Sequence, residues 1–241
     1  GKRRQGDQKT PIGVYRITGF IPGKNLHERY GPGALPIDYP NDLDRLYERT
    51  GHGIWLHGTE PGFVNRSPLA SDGCVSLSNQ DFVLLHRLIG DAKLVHVVLD
   101  PKPDWINREE LVIRREEFTS NLQHWYRAWS INDQTRLDAF YQIPNRTISN
   151  QAPRTLRSYN VSLNNPPSLA VEKAHLFAYP GEQNLYVAEL NLGSNNLSPI
   201  KIRQYWRLMV GNRWKILIET PLLPDNLKDV EGNAGSNDEL P

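Results

Sequence analysis

Apolar positions fall into two regimes along this chain. Up to about residue 103 they form short β-favouring runs, 14–20, 54–57, 74–77 and 94–100, parted by glycine and proline turns. Two helical stretches interrupt them, 42–50 and 79–89. In the second, Phe82, Leu85, Leu88 and Ile89 recur at helical spacing, with Asp81 in the first turn, where a negative charge suits the helix dipole. That helix is expected to pack against the sheet behind residue 74. Residues 23–40 hold glycines, prolines and tyrosines with no sustained period, so they read as a long loop, with Tyr30 and Tyr39 as candidate groove walls.

The pattern changes after the linker signal Pro101-Lys102-Pro103-Asp104. Residues 116–141 predict a long helix whose Phe118, Leu122, Trp125 and Trp129 recur at three- and four-residue steps, an aromatic stripe of the kind that builds a core. Apolar β-rich runs follow at 169–179, 185–192 and 200–220, the last folded about Val210-Gly211-Asn212-Arg213, where Gly-Asn suits a two-residue hairpin turn. A helix followed by antiparallel strands indicates α+β. The expected organisation is a first domain at 1–103, a linker at 104–115, a second domain at 116–222 and a disordered polar tail at 223–241.

Composition narrows the partners. The 241 residues are 38% hydrophobic and 23% charged, with a net charge of +1. Basic and acidic residues are balanced in both halves, and neither half carries the clustered basic face that nucleic acid or an anionic membrane demands. Lys2-Arg3-Arg4 reads as a solvated terminus. No apolar run approaches the roughly 20 residues needed to span a bilayer. One cysteine excludes an internal disulfide framework. His27, His52, His57 and Cys74 form no Cys-x-x-Cys or His-x-x-x-His pair, so neither metal nor cofactor is expected.

The candidate chemistry lies in 51–81. The run Gly53-Ile54-Trp55-Leu56 delivers His57 to a strand end, where Gly58-Thr59-Glu60-Pro61-Gly62 must break the strand. Ser71-Asp72-Gly73 is a turn signal, and Cys74 opens the next short strand. A lone cysteine is ordinarily a small buried hydrophobe, but one that follows a glycine turn, with a histidine at a neighbouring strand end, is placed for nucleophilic chemistry. The imidazole can take the thiol proton, and the backbone N–H groups of Gly73 and Cys74 are candidates for an oxyanion hole.

The pattern Ile54-Trp55-Leu56-His57-Gly58-Thr59 followed by Ser71-Asp72-Gly73-Cys74-Val75 resembles the signature of the L,D-transpeptidase (YkuD-type) catalytic domain. The stretch Gly6-Asp7-Gln8-Lys9-Thr10-Pro11-Ile12-Gly13-Val14-Tyr15 is similar to a second hallmark of that family. The resemblance implies a mainly β sandwich or barrel with short helices. It makes Cys74 the nucleophile, His57 the general base and Gly58 the residue whose carbonyl orients the imidazole, with Gly73 and Cys74 as oxyanion donors. Trp55, Thr59, Ser71, Asp72 and Ser76 become substrate contacts. The implied reaction is attack on the L-D bond before the terminal D-alanine of peptidoglycan stem peptides, giving a thioester that an amine or water resolves. Many members carry histidine where this chain has Asp72 and arginine where it has Ser76. Arg66 is the candidate substitute for that arginine as a carboxylate grip, and Asp72 beside Cys74 opposes thiolate formation.

The second half is similar to a nuclear transport factor 2-like (SnoaL-like) domain, an α+β cone. The resemblance is carried by Trp125-Tyr126-Arg127-Ala128-Trp129-Ser130, Asp133, Ala139-Phe140-Tyr141 and the strands of Trp206 and Trp214. Together the halves resemble bacterial L,D-carboxypeptidases that trim stem peptides in cell-shape control. That implies the periplasm or cell envelope of a bacterium, with any export signal upstream of Gly1, where the family's first strands would also lie. The second domain is expected to serve targeting, glycan binding or homodimer formation. Transpeptidation, carboxypeptidation and release of an anchored lipoprotein stay open. So does a different class of function, a non-catalytic wall-binding protein.

Overall fold

A computed structural model describes residues 1–63, 71–90, 95–131, 133–142, 168–169, 174–194 and 197–222. The chain divides into two compact units: Gly1–Trp105 with Ala178–Asn184, and Ile106–Phe177 with Leu185–Pro241. No helix among the described residues is long and apolar enough to cross a membrane.

The first unit is mainly β. Strands β1 (Gly13–Arg16) and β6 (His96–Leu99) pair antiparallel. A four-stranded sheet runs in the order β2 (Ile21–Pro22), β3 (Gly33–Pro36), β4 (Trp55–His57), β5 (Val75–Ser76). Its first two pairings are antiparallel, and the last, β4 with β5, is parallel. An antiparallel bridge, Ile17 to Ile37, ties the two sheets together. Tyr15, Leu35, Ile37, Tyr39, Ile54, Leu56 and Phe82 form the core. Helices α1 (Asp42–Leu46) and α2 (Asn79–Ile89) each begin on a side-chain cap, Asn41 and Ser78 respectively.

Several expectations need correction here. Residues 23–40 are not one loop. They contain β3, the strand that joins β2 to β4, and Tyr39 lies in the core, its hydroxyl donating to Thr50 O at 3.1 Å. The run 14–20 is broken after Arg16, leaving Phe20 41% exposed. The expected helix at 42–50 stops at Leu46. In α2, Phe82 is buried and Leu85 and Ile89 pack on the core as expected, but Leu88 is 75% exposed.

In the second unit, α3 (Arg108–Ser130) and α4 (Gln134–Asp138) precede β7 (Ser168–Leu169), β8 (His175–Ala178), β9 (Leu185–Ser194), β10 (Leu197–Met209) and β11 (Arg213–Pro221). The sheet order is β11-β10-β9-β7, with β8 also on β9. Phe118, Leu122, Trp125 and Trp129 of α3 are buried in one cluster with Ala188, Leu190, Leu192, Ile202, Trp206 and Ile216 of the sheet. The stripe is therefore core, and the arrangement is α+β. The helix starts at Arg108 rather than 116, inside the expected linker, and ends at Ser130. Its first turns are solvated on all sides, and Asn107 caps them by accepting from Glu110 N at 2.8 Å. Three residues, Val210-Gly211-Asn212, join β10 to β11 rather than two; Gly211 and Asn212 hold φ of 81° and 55°. The expected tail at 223–241 lies outside the described residues.

Candidate active site

Pairing of β4 with β5 builds the site. Leu56 stands opposite Val75 and His57 opposite Ser76, so one step back Cys74 falls opposite Trp55. Strand alternation then places Trp55, His57, Cys74 and Ser76 on one face. Leu56 turns into the core and Val75 packs against it. Cys74 and His57 are diagonal neighbours on that face, a Cα separation of about 8 Å from strand spacing and rise. The two strands are neighbours, but their parallel register sets His57 opposite Ser76 and leaves Cys74 one diagonal away rather than beside it.

His57 is buried at 3% exposure, and its Nδ1 lies 2.6 Å from Gly58 O. A carbonyl oxygen has no proton to give, so Nδ1 carries the hydrogen and Nε2 is left as the basic nitrogen. Tyr30 stands edge-on to the imidazole at 5.0 Å between ring centres, and 5.2 Å from the Trp55 ring. Tyr30 thus lines the histidine, whereas Tyr39 does not.

Cys74 is free and half-buried. Its thiol donates to Gly53 O at 3.4 Å. Burial pushes this thiol above its ordinary value and Asp72 adds to the shift, while the Trp55 N–H and the positive charges of Arg29 and Lys2 pull the other way. The balance is a protonated thiol at neutral pH. Glycine is required at residue 73: its φ is +119°, and a Cβ there would stand 2.8 Å from Lys9 O.

The remaining predicted residues divide. Ser71 closes the turn, its hydroxyl donating to Cys74 O at 2.6 Å and accepting from Gly73 N at 3.4 Å. The Gly73 N–H thus already has a partner in the turn. Asp72 is exposed. Ser76 Oγ is buried and has no hydrogen-bond partner among the described residues. Thr59 is 1% exposed and its hydroxyl donates to Phe63 O at 2.9 Å, so it holds the loop rather than facing a groove. Arg66 lies outside the described residues. His27 caps a short turn, accepting from Arg29 N. Among the described residues no cluster of three or more His, Cys, Asp or Glu side chains is placed to hold a metal ion.

Sequence reasoning missed Asn79, whose Oδ1 accepts from Thr59 N at 2.7 Å beside the histidine loop. As the first residue of a helix it carried only a helix-start signal.

Residues 1–97 match the L,D-transpeptidase catalytic domain of the YkuD family. Two solved structures share the fold across both units. One is the helical cell shape determining protein Pgp2 from Campylobacter jejuni, with a TM-score of 0.69 and 22% identity over 91% of this chain and 78% of that one. The other is Bd1075 from Bdellovibrio bacteriovorus, with a TM-score of 0.70 and 20% identity over 90% of this chain and 81% of that one. No curated protein sequence matches the chain.

Proposed function

We propose that this chain is a peptidoglycan-remodelling cysteine acyltransferase of the bacterial cell envelope. What carries the reading is the buried His57, its Nδ1 held by Gly58 O at 2.6 Å on the same strand face as Cys74. His57 Nε2 takes the thiol proton as sulfur attacks the carbonyl of the L-centred residue before the terminal D-alanine. The oxyanion forms against the backbone N–H of Cys74 and that of Gly73, which gives up its long 3.4 Å bond to Ser71 Oγ to do so. When the intermediate collapses, the C–N bond breaks and the imidazolium returns its proton to the departing D-alanine amine, leaving a thioester on Cys74. Water then gives a trimmed stem peptide, and an amine gives a cross-link. His57 serves as base again in either case. Trp55, Ser76 and Tyr30 lie on or beside this face and are the proposed substrate contacts, with Asp72 at its rim and Arg66 the proposed carboxylate grip.

The second unit we read as a nuclear transport factor 2-like module that targets, binds glycan or pairs two copies. Its helix-on-sheet core of Trp125, Trp129 and Trp206 supports that reading.

Incubation of the protein with purified muropeptides, followed by mass spectrometry, tests the assignment. Loss of terminal D-alanine identifies a carboxypeptidase, and cross-linked dimers identify a transpeptidase. Cys74→Ala abolishes either while sparing the fold. One observation favours the second reading, a non-catalytic wall-binding protein: the thiol at rest is protonated and bonded to Gly53 O. Binding of muropeptides with no change in their mass would select it.

A further inference from the structure

His57 depends on a carbonyl, and a carbonyl points where its peptide plane points. The peptide joining Gly58 to Thr59 presents its C=O to His57 Nδ1 at 2.6 Å and its N–H to Asn79 Oδ1 at 2.7 Å. The unit is planar, with C=O and N–H directed oppositely, so a grip on one end sets the direction of the other. The chain is tied on either side of this peptide, by Leu77 N donating to His57 O at 2.8 Å and Thr59 Oγ1 donating to Phe63 O at 2.9 Å, but the side chain that grips the peptide's own N–H is Asn79.

Asn79 is itself held. It opens α2, which Ser78 caps and which Phe82, 1% exposed, anchors in the core. Its Oδ1 sits where a Cβ on Gly31 or Gly58 would come within 2.3 or 2.4 Å, so backbone closes on the oxygen from two sides. Gly31 adopts φ +62°, and any side chain at either glycine would displace the amide. Bonding at the N–H also polarises the peptide and strengthens its carbonyl as an acceptor.

We infer that Asn79 is a positioning residue: through the Gly58–Thr59 peptide it holds the His57 ring orientation and tautomer, leaving Nε2 aimed at the Cys74 side of the face. The effect on turnover rests on the function proposed above; the effect on the tautomer does not.

The test uses 15N-histidine-labelled protein at alkaline pH, where imidazole is neutral. Wild type should show His57 protonated at Nδ1. Asn79→Ala should show a mixture of tautomers, and Asn79→Asp, which keeps the acceptor, should restore the wild-type spectrum. Asn79→Ser, whose hydroxyl falls short of Thr59, should behave as alanine does and replaces it if the alanine variant does not fold. In the muropeptide assay the alanine or serine variant should lose about 10- to 100-fold in kcat with KM little changed, the range found for outer partners that orient a histidine ligand. Aspartate should recover most of that loss. A wild-type tautomer in the folded alanine or serine variant overturns the inference, as does loss of the tautomer in the aspartate variant. An inactive wild type with an Asn79-dependent tautomer refutes the enzyme assignment and leaves the positioning role standing.

Discussion

Tyr179 offers a sharp test of what holds the first unit together, because it arrives from far along the chain. It is 2% exposed and lies in Ala178–Asn184, a segment of that unit. Asn41 Nδ2 spends its two hydrogens on Tyr179 Oη at 3.0 Å and Val14 O at 3.1 Å. In the same segment Glu182 accepts from Arg49 at 3.2 Å, and Arg49 reaches the buried Asp44 at 2.9 Å. Tyr179→Phe leaves one buried N–H of Asn41 unpaired, about 1–3 kcal/mol. Tyr179→Ala also removes a buried aromatic ring, which by itself costs about 3–5 kcal/mol. Hydrogen exchange of the β1 and β6 amides reads the first unit alone. With each 1.4 kcal/mol worth about tenfold, loss of the ring alone should make the alanine variant exchange roughly two to three and a half orders of magnitude faster. The phenylalanine variant should gain roughly five- to a hundredfold. Acceleration below tenfold for Tyr179→Ala would mean that the first unit folds without 178–184, and the reasoning fails.

Other expectations follow from the same contacts. Because burial raises the Cys74 thiol, its alkylation by iodoacetamide should keep accelerating above pH 9.0, the ordinary thiol value, and a plateau at neutral pH would contradict the protonated resting state. The same shift predicts stability lost as pH rises through that window, since there the folded chain retains a proton that the unfolded chain has released; below it the contribution is fully present and does not vary with pH. Gly73→Ala combines φ +119° with a Cβ 2.8 Å from Lys9 O and should cost roughly 2–4 kcal/mol in urea denaturation, against little effect if the turn relaxes freely. In the second unit Arg203 and Glu189 pair with side chains only 2% and 3% exposed. Arg203→Met strands a buried carboxylate and should cost roughly 3–5 kcal/mol, most of it recovered by adding Glu189→Leu; equal melting of the two variants would disprove the pairing argument.

What the sequence disclosed and what it concealed differ by range. His57 and Cys74 were legible because local signals place them: an apolar run ending at Gly58, and a glycine turn before the cysteine. The α3 stripe was legible because burial imprints the helical period. β3 was hidden because Gly33-Ala34-Leu35-Pro36 shows no alternation; strands on both sides bury it, and tertiary pairing overrode its turn-like composition. The start of α3 was hidden because a helix turn exposed on every side has no apolar stripe, although Asn107 followed by Glu109 and Glu110 is a cap signal that pointed to it. The membership of 178–184 in the first unit was unreadable, since no local pattern announces that Tyr179 bonds a residue 138 positions earlier. Asn79 failed for the same reason: its partner is a backbone N–H, which every sequence position offers equally.

The electrostatics of the site explain why a peptide, rather than a carboxylate, suits this histidine under the proposed mechanism. A carboxylate on Nδ1 stabilises imidazolium and so favours a standing thiolate–imidazolium pair. A neutral carbonyl does this less, and the Cys74 environment pushes the same way: burial and Asp72 outweigh the Trp55 N–H, Arg29 and Lys2. The thiol therefore rests protonated on Gly53 O, beside a histidine whose Nδ1 is held by Gly58 O. Charge separates only when an acyl carbonyl arrives to accept the sulfur electrons. Such a site gains nothing from raising the basicity of its histidine. It depends on the angle at which Nε2 meets the thiol, and that angle is set by the one peptide that Asn79 grips.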